Sequence, residues 1–97
     1  MQYEIEIRSL ATVETLEAYD WYEQQSEGLG LEFLNELERF YSILLHNPNT
    51  HSYYQRPVRQ GKINRFPFTV IYEVFKTRIV IYSVFMSKQD PIKKRIT

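Results

Sequence analysis

The chain has no cysteine, which excludes disulfide bridges and every thiolate metal site. Glycine is scarce. Gly28, Gly30 and Gly61 are the full set, and their spacing makes no phosphate-cradling loop. No apolar run approaches the roughly 20 residues that a membrane-spanning helix needs. The opening residues Met1-Gln2-Tyr3-Glu4-Ile5 lack the basic start and apolar stretch of a signal peptide, so a soluble cytoplasmic protein is expected. His46 and His51 are the only histidines. One reads as a helix-end residue and the other as a loop residue, so neither a metal site nor a cofactor is expected. A serine nucleophile elbow is also missing.

What the sequence does have is aromatic mass and a charge split. At 97 residues it reads as one domain, residues 1–97, long enough to bury about two thirds of its unfolded surface. Eight tyrosines and six phenylalanines let large rings build the core. Residues 1–50 set two arginines against ten carboxylates, a net charge of −8, and residues 51–97 set ten cations against two carboxylates, a net charge of +8. The basic half is suited to an acidic partner segment. Neutrality of the whole chain argues against direct sequence-specific DNA binding.

Periodicity gives the elements. Tyr3, Ile5 and Ile7 alternate with polar residues, which predicts a short half-buried strand. Thr12 is the expected N-cap of a helix running to about Gln25, with Glu14 and Glu17 near its positive end and Leu16, Tyr19 and Tyr22 on its apolar face. Ser26 to Gly30 breaks the helix. A second helix carries Phe33, Leu37, Phe40 and Leu44 at helical spacing and ends near His46, because Asn47 precedes Pro48. Asn47 to Gln55 reads as a polar surface loop, and Val58 to Phe66 as a strand with a possible bulge at Gly61.

Two β-branched and aromatic runs, Phe68 to Val74 and Arg78 to Met86, flank Lys76-Thr77 as a hairpin. A two-residue loop there would set Val74 opposite Ile79, Tyr72 opposite Ile81, Ile71 opposite Tyr82 and Phe68 opposite Phe85. Residues 90–97 read as a basic tail. The order β-α-α-β-β-β predicts an α+β fold, a helical hairpin packed on a small, mainly antiparallel sheet. The candidate partner-facing residues are Arg59, Lys62, Arg65, Arg78, Tyr82 and Lys88, with Arg56 and Tyr72 beside them. Guanidinium forks suit phosphates and carboxylates, and Tyr82 could stack a base. The alternative reading is that these cations solubilise and protect the sheet edges.

The residues Ala18, Trp21-Tyr22-Glu23, Gly28-Leu29-Gly30, Phe33-Leu34 and Asn47-Pro48 lie in the helical half. Arg65-Phe66-Pro67-Phe68, Tyr72, Val84-Phe85 and Asp90-Pro91 lie in the strand half. In this order and spacing the chain resembles the RelE/ParE superfamily of type II toxin–antitoxin toxins, in particular its ParE-like branch. The resemblance implies the same β-α-α-β-β-β fold. It also implies a small cytoplasmic toxin of a plasmid-stabilisation type, held inactive by a cognate antitoxin that adds a strand or helix to its surface. ParE-like toxins act on a protein target such as DNA gyrase. RelE-like toxins instead cleave messenger RNA on the ribosome without a metal, and in that reading Lys62 and Lys88 are the catalytic candidates. Thr69 and Ser87 stand where the RelE branch usually has arginines. Met86 and Gln89 stand where many ParE-like relatives have His and Arg. A third reading is therefore a non-toxic module that still binds its antitoxin.

Overall fold

The computed structural model describes residues 3–87. In order these form β1 (Glu4–Ile7), α1 (Ser9–Gln25), α2 (Leu29–His46), β2 (Tyr53–Gln55), β3 (Val58–Lys62), β4 (Phe68–Val74) and β5 (Arg78–Met86). The strands form one sheet in the order β1-β5-β4-β3-β2. Only β1 and β5 pair in parallel, and every other neighbouring pair is antiparallel. The α+β helical hairpin on a mainly antiparallel sheet is the expected architecture, with one added strand. No helix among the described residues is long and apolar enough to cross a membrane.

The core lies between the helices and one sheet face. From α2, Phe33, Leu37, Phe40 and Leu44 are all buried, as their spacing predicts. They meet Val70, Tyr72, Ile79, Ile81 and Val84 of the central strands. Tyr22, Phe33, Phe66 and Phe68 make an aromatic cluster. Ring centroids lie 4.9 Å apart for Tyr22–Phe66 and for Phe33–Phe68. Such pairs contribute about 0.5–1.5 kcal/mol each beyond their area burial.

Helix α1 departs from its expected start and face. It begins at Ser9, with Arg8 at the N-cap and no side-chain cap. The Arg8 amide donates to the Ile81 carbonyl, while the Arg8 carbonyl accepts from the Thr12 amide. One residue thus closes the β1–β5 ladder and opens the helix. Thr12 is therefore a helical residue and not the cap, and Glu14 lies beyond the first turn. The buried side of α1 is Ala11, Ala18 and Tyr22, whereas Leu16 is 56% exposed. Ala11 and Ala18 let α1 approach its neighbours closely, so Leu16 points elsewhere, while Tyr22 packs inward as expected.

The break between the helices is Ser26 to Gly28. Gly28 has φ 87°, in the region that favours glycine. Gly30 lies inside the first turn of α2 and not in the break. A Cβ built there would sit 2.7 Å from the Tyr19 carbonyl oxygen of α1. The Glu23 carboxylate accepts from the Gly28 and Gly30 amides, both at 2.8 Å. This satisfies donors that the helix start leaves open.

Three strand expectations are corrected. Tyr53–Gln55 is a strand inside the expected loop. It pairs with β3 through Tyr53 opposite Arg59, and the Gln60 amide donates to the Ser52 carbonyl. Strand β3 ends at Lys62, and its register with β4 runs through Gly61 without a bulge. The bulge is in β5. The hairpin places Val74 opposite Ile79 and Tyr72 opposite Ile81 as expected, but then Ile71 faces Ser83 and Phe68 faces Met86. Tyr82 is the extra residue.

Beyond Ile81 strand β5 outruns β1, and its amide edge would be unpaired. Glu14 of α1 covers it, accepting from the Val84 amide at 2.7 Å and the Ser83 hydroxyl at 2.8 Å through the same Oε1. Glu14→Ala is expected to lower stability by about 1–3 kcal/mol, because a buried strand donor loses its acceptor. Glu14→Gln should restore most of that loss, measured as ΔG from chemical denaturation.

Candidate target-facing site

Among the described residues, the cations marked by sequence do not all meet at one point, although Arg56 and Arg59 share the Tyr53 ring. Arg65 lies in the β3–β4 turn with φ 71°. Its guanidinium reaches Glu32 of α2 at 2.6 Å and Glu36 at 3.8 Å. Arg78 lies 3.6 Å from Glu6, which also holds Arg8 at 2.8 Å. The acidic and basic halves of the chain therefore meet within the molecule, and part of the basic half is neutralised there. Arg59 donates to the His51 carbonyl at 2.6 Å and to the Tyr53 hydroxyl at 2.8 Å. The Arg56 guanidinium lies 4.2 Å from the centre of the Tyr53 ring, a cation–π distance.

The two tyrosines differ. Tyr82, at the bulge, is half-buried and donates to Glu73 at 2.6 Å. That hydrogen bond, with partial burial, raises the Tyr82 hydroxyl above its ordinary pKa. Tyr72 is fully buried, so it cannot stack an external base, and its burial pushes its pKa up to about 12. Its hydroxyl donates to the Pro48 carbonyl at 3.3 Å. The same Tyr72 oxygen lies 3.1 Å from His51 Nδ1, and which of the two donates follows the histidine tautomer.

His51 is the residue that sequence reading passed over. Its ring packs 5.2 Å from the Phe40 ring. A Cβ on Gly61 would lie 2.7 Å from both His51 Cδ2 and Phe40 Cζ. Gly61 is therefore the space in which these rings rest. The signal in the sequence is Gly61 on β3, opposite Val70, together with Tyr72, a central-strand tyrosine whose hydroxyl needs a partner. Burial first, and Arg59 second, lower the His51 pKa. A histidine lowered on folding binds more protons unfolded, so its contribution is intact above about pH 6.5 and is lost as pH falls below it. Stability should decline on acidification from pH 7 to 5, and His51→Gln should flatten part of that slope in pH-dependent denaturation.

His51 also borders an open hollow of about 550 Å³ with Gly61, Lys62, Thr69, Phe85 and Ser87. Among the described residues that line it, Lys62 is the only lysine or arginine, and none is a carboxylate. Lys62 is exposed, whereas Thr69 is 4% exposed. The arrangement offers one cation, several hydroxyl groups and an exposed aromatic ring, Phe85. Lys88, Gln89 and the basic tail lie outside the described residues.

No family model matches the sequence, and no curated protein matches it. Solved structures do match. The chain is similar to one from the chromosomal ParDE TA system of P. aeruginosa, with TM-score 0.76 and 17% identity over 88% of this chain and 96% of that one. It is also similar to an arginine-to-alanine double mutant of the E. coli toxin RelE in the free state, with TM-score 0.57 and 15% identity over the full length of both chains. The fold is thus that of the RelE/ParE toxins, as the sequence resemblance implied.

Proposed function

We propose that the chain is the toxin of a type II toxin–antitoxin module of ParE type. It inhibits a protein target such as DNA gyrase, needs no cofactor, and is neutralised by a cognate antitoxin. The observation that carries this reading is that, among the described residues, the arginines marked by sequence are held by partners within the molecule. Metal-free cleavage of RNA requires activation of a 2′-hydroxyl and stabilisation of the charge on a pentavalent phosphorus, with groups converging on one point. Arg65, Arg78 and Arg59 are instead engaged with Glu32, Glu6 and the His51 carbonyl. A surface whose charges are tied down in this way suits recognition of a folded partner better than transesterification.

The test is inhibition of DNA supercoiling by the folded, antitoxin-free protein. Concentration-dependent inhibition supports the gyrase version, and uninhibited supercoiling at saturating protein removes it. A second reading, ribosome-dependent cleavage of messenger RNA, draws on Lys62 in a hollow with no carboxylate among the described residues that line it. It predicts codon-phased cuts that Lys62→Ala suppresses. Intact message at high occupancy of translating ribosomes would eliminate it.

A further inference from the structure

The described arginines divide into two groups. Arg8 and Arg78 have Glu6 at ion-pair distance, Arg39 has Glu36, and Arg65 has Glu32. Arg56, Arg59 and Lys62 have no such carboxylate among the described residues. All three lie on the β2–β3 hairpin, Arg56 in its turn and the others in β3. Residues 39–72 hold no aspartate or glutamate. Arg56 and Arg59 share one ring, with guanidinium carbons 4.2 and 4.1 Å from the centre of Tyr53. A guanidinium stacked by its face keeps N–H groups on its rim for an anion. Arg59 also donates to the His51 carbonyl and the Tyr53 hydroxyl. Those acceptors are neutral, so they aim the guanidinium and leave its charge uncompensated. Arg59 and Lys62 point to opposite faces of β3, about 10 Å apart along it, and so straddle the sheet edge. Strand β2 is the outermost strand, and Tyr54, 60% exposed, and Gln55 add neutral donors there.

The charge pattern selects the occupant. A folded protein surface carries charges of both signs, and a face built for one answers with both. A nucleic-acid backbone is uniformly negative. A hairpin with three uncompensated cations, neutral donors and no carboxylate answers the uniform anion. Phosphate oxygens accept from Arg, Lys, Tyr and Gln side chains, and such contacts carry no sequence information. That agrees with a chain that is neutral overall. We propose that the β2–β3 hairpin holds the phosphate backbone of duplex DNA, whatever its sequence, through Arg56, Arg59 and Lys62. This rests on the reading above of a target that works on DNA. The chain then docks on the pair of enzyme and duplex, and not on protein alone. Helices α1 and α2 carry seven carboxylates against Arg39. Their repulsion from the same backbone turns the hairpin toward it.

The test is fluorescence anisotropy of two labelled DNA duplexes of unrelated sequence, each of about 20 base pairs, titrated with the full chain between about 50 and about 200 mM salt. Three phosphate contacts predict a slope of about −2.7 in log K against log salt, which is a loss of about fortyfold across that range. Both sequences should behave alike. Arg56→Gln, at an exposed turn position, should reduce the slope by about 0.9 and the loss to about twelvefold, with the melting temperature unchanged. Lys62→Gln should do the same. Arg78 lies on β5, three strands from β2, and is already paired, so Arg78→Gln should leave the slope as it is.

Absent binding, or a slope that neither Arg56→Gln nor Lys62→Gln moves, overturns the proposal. A polyglutamate peptide that displaces the labelled duplex as well as unlabelled duplex does would assign the hairpin to an acidic protein segment and overturn it. Tighter binding of an RNA duplex of the same length would assign it to RNA, with the same result. Inhibition of supercoiling tests the target reading separately. Inhibition without duplex binding sinks the DNA contact alone, and duplex binding without inhibition sinks the gyrase target alone.

Discussion

Phe33→Ala is expected to cost about 3–5 kcal/mol, the range for a large aromatic removed from a packed core. Phe33 has no exposed surface. Its ring touches three others, Tyr22 at 5.6 Å, Phe66 at 5.5 Å and Phe68 at 4.9 Å between centroids. Those partners come from α1, from the β3–β4 turn and from β4, so the cavity would open where the hairpin meets the sheet. Whole domains are stable by only about 5–15 kcal/mol, so this substitution removes a large share. Phe33→Leu should recover more than half of the loss. Urea denaturation of the three proteins measures both. A loss below about 1 kcal/mol for Phe33→Ala would mean that the cluster is not the structural centre.

Gly30→Ala is expected to destabilise by about 2 kcal/mol, although alanine is the better helix former by about 1 kcal/mol. The added methyl would meet the Tyr19 carbonyl oxygen at 2.7 Å, and a backbone atom cannot swing aside. The same methyl would press the Glu23 carboxylate, which holds the Gly28 and Gly30 amides. The helices must therefore separate, and the loss should appear in denaturant midpoints without a fall in helical signal at low denaturant. A gain in stability would show that propensity outweighs the crossing.

What the sequence revealed depended on whether a local pattern carried the information. The α2 stripe was legible because Phe33, Leu37, Phe40 and Leu44 repeat at the helical period and all four face the core. On α1 side-chain size misled at Leu16, although Tyr22 is buried as expected. Ala11 and Ala18 are buried because closeness is what that face needs, and Leu16 is left exposed. The hairpin register was legible from its turn as far as Tyr72 and Ile81. Nothing local to β5 announces the extra residue at Tyr82. Strand β2 is held by pairing with β3, a tertiary cause that Tyr53-Tyr54-Gln55 does not display.

The candidate site was legible by residue type and not by arrangement. Arg65 and Arg78 read as outward cations because Glu32 and Glu6 lie far away in sequence. Folding brings each within ion-pair distance. Such exposed pairs contribute only about 0–1 kcal/mol, but they decide which charges a partner meets. His51 was passed over because its packing neighbours, Phe40, Gly61 and Tyr72, come from three different elements.

The central claim is that this fold acts as a toxin, and growth after induction of the chain alone tests it most directly, with soluble folded protein confirmed in the same cells and a parallel strain co-expressing the cognate antitoxin. The account predicts arrest that the antitoxin relieves. Normal growth in the presence of abundant folded protein would contradict it and leave a binding module without toxicity.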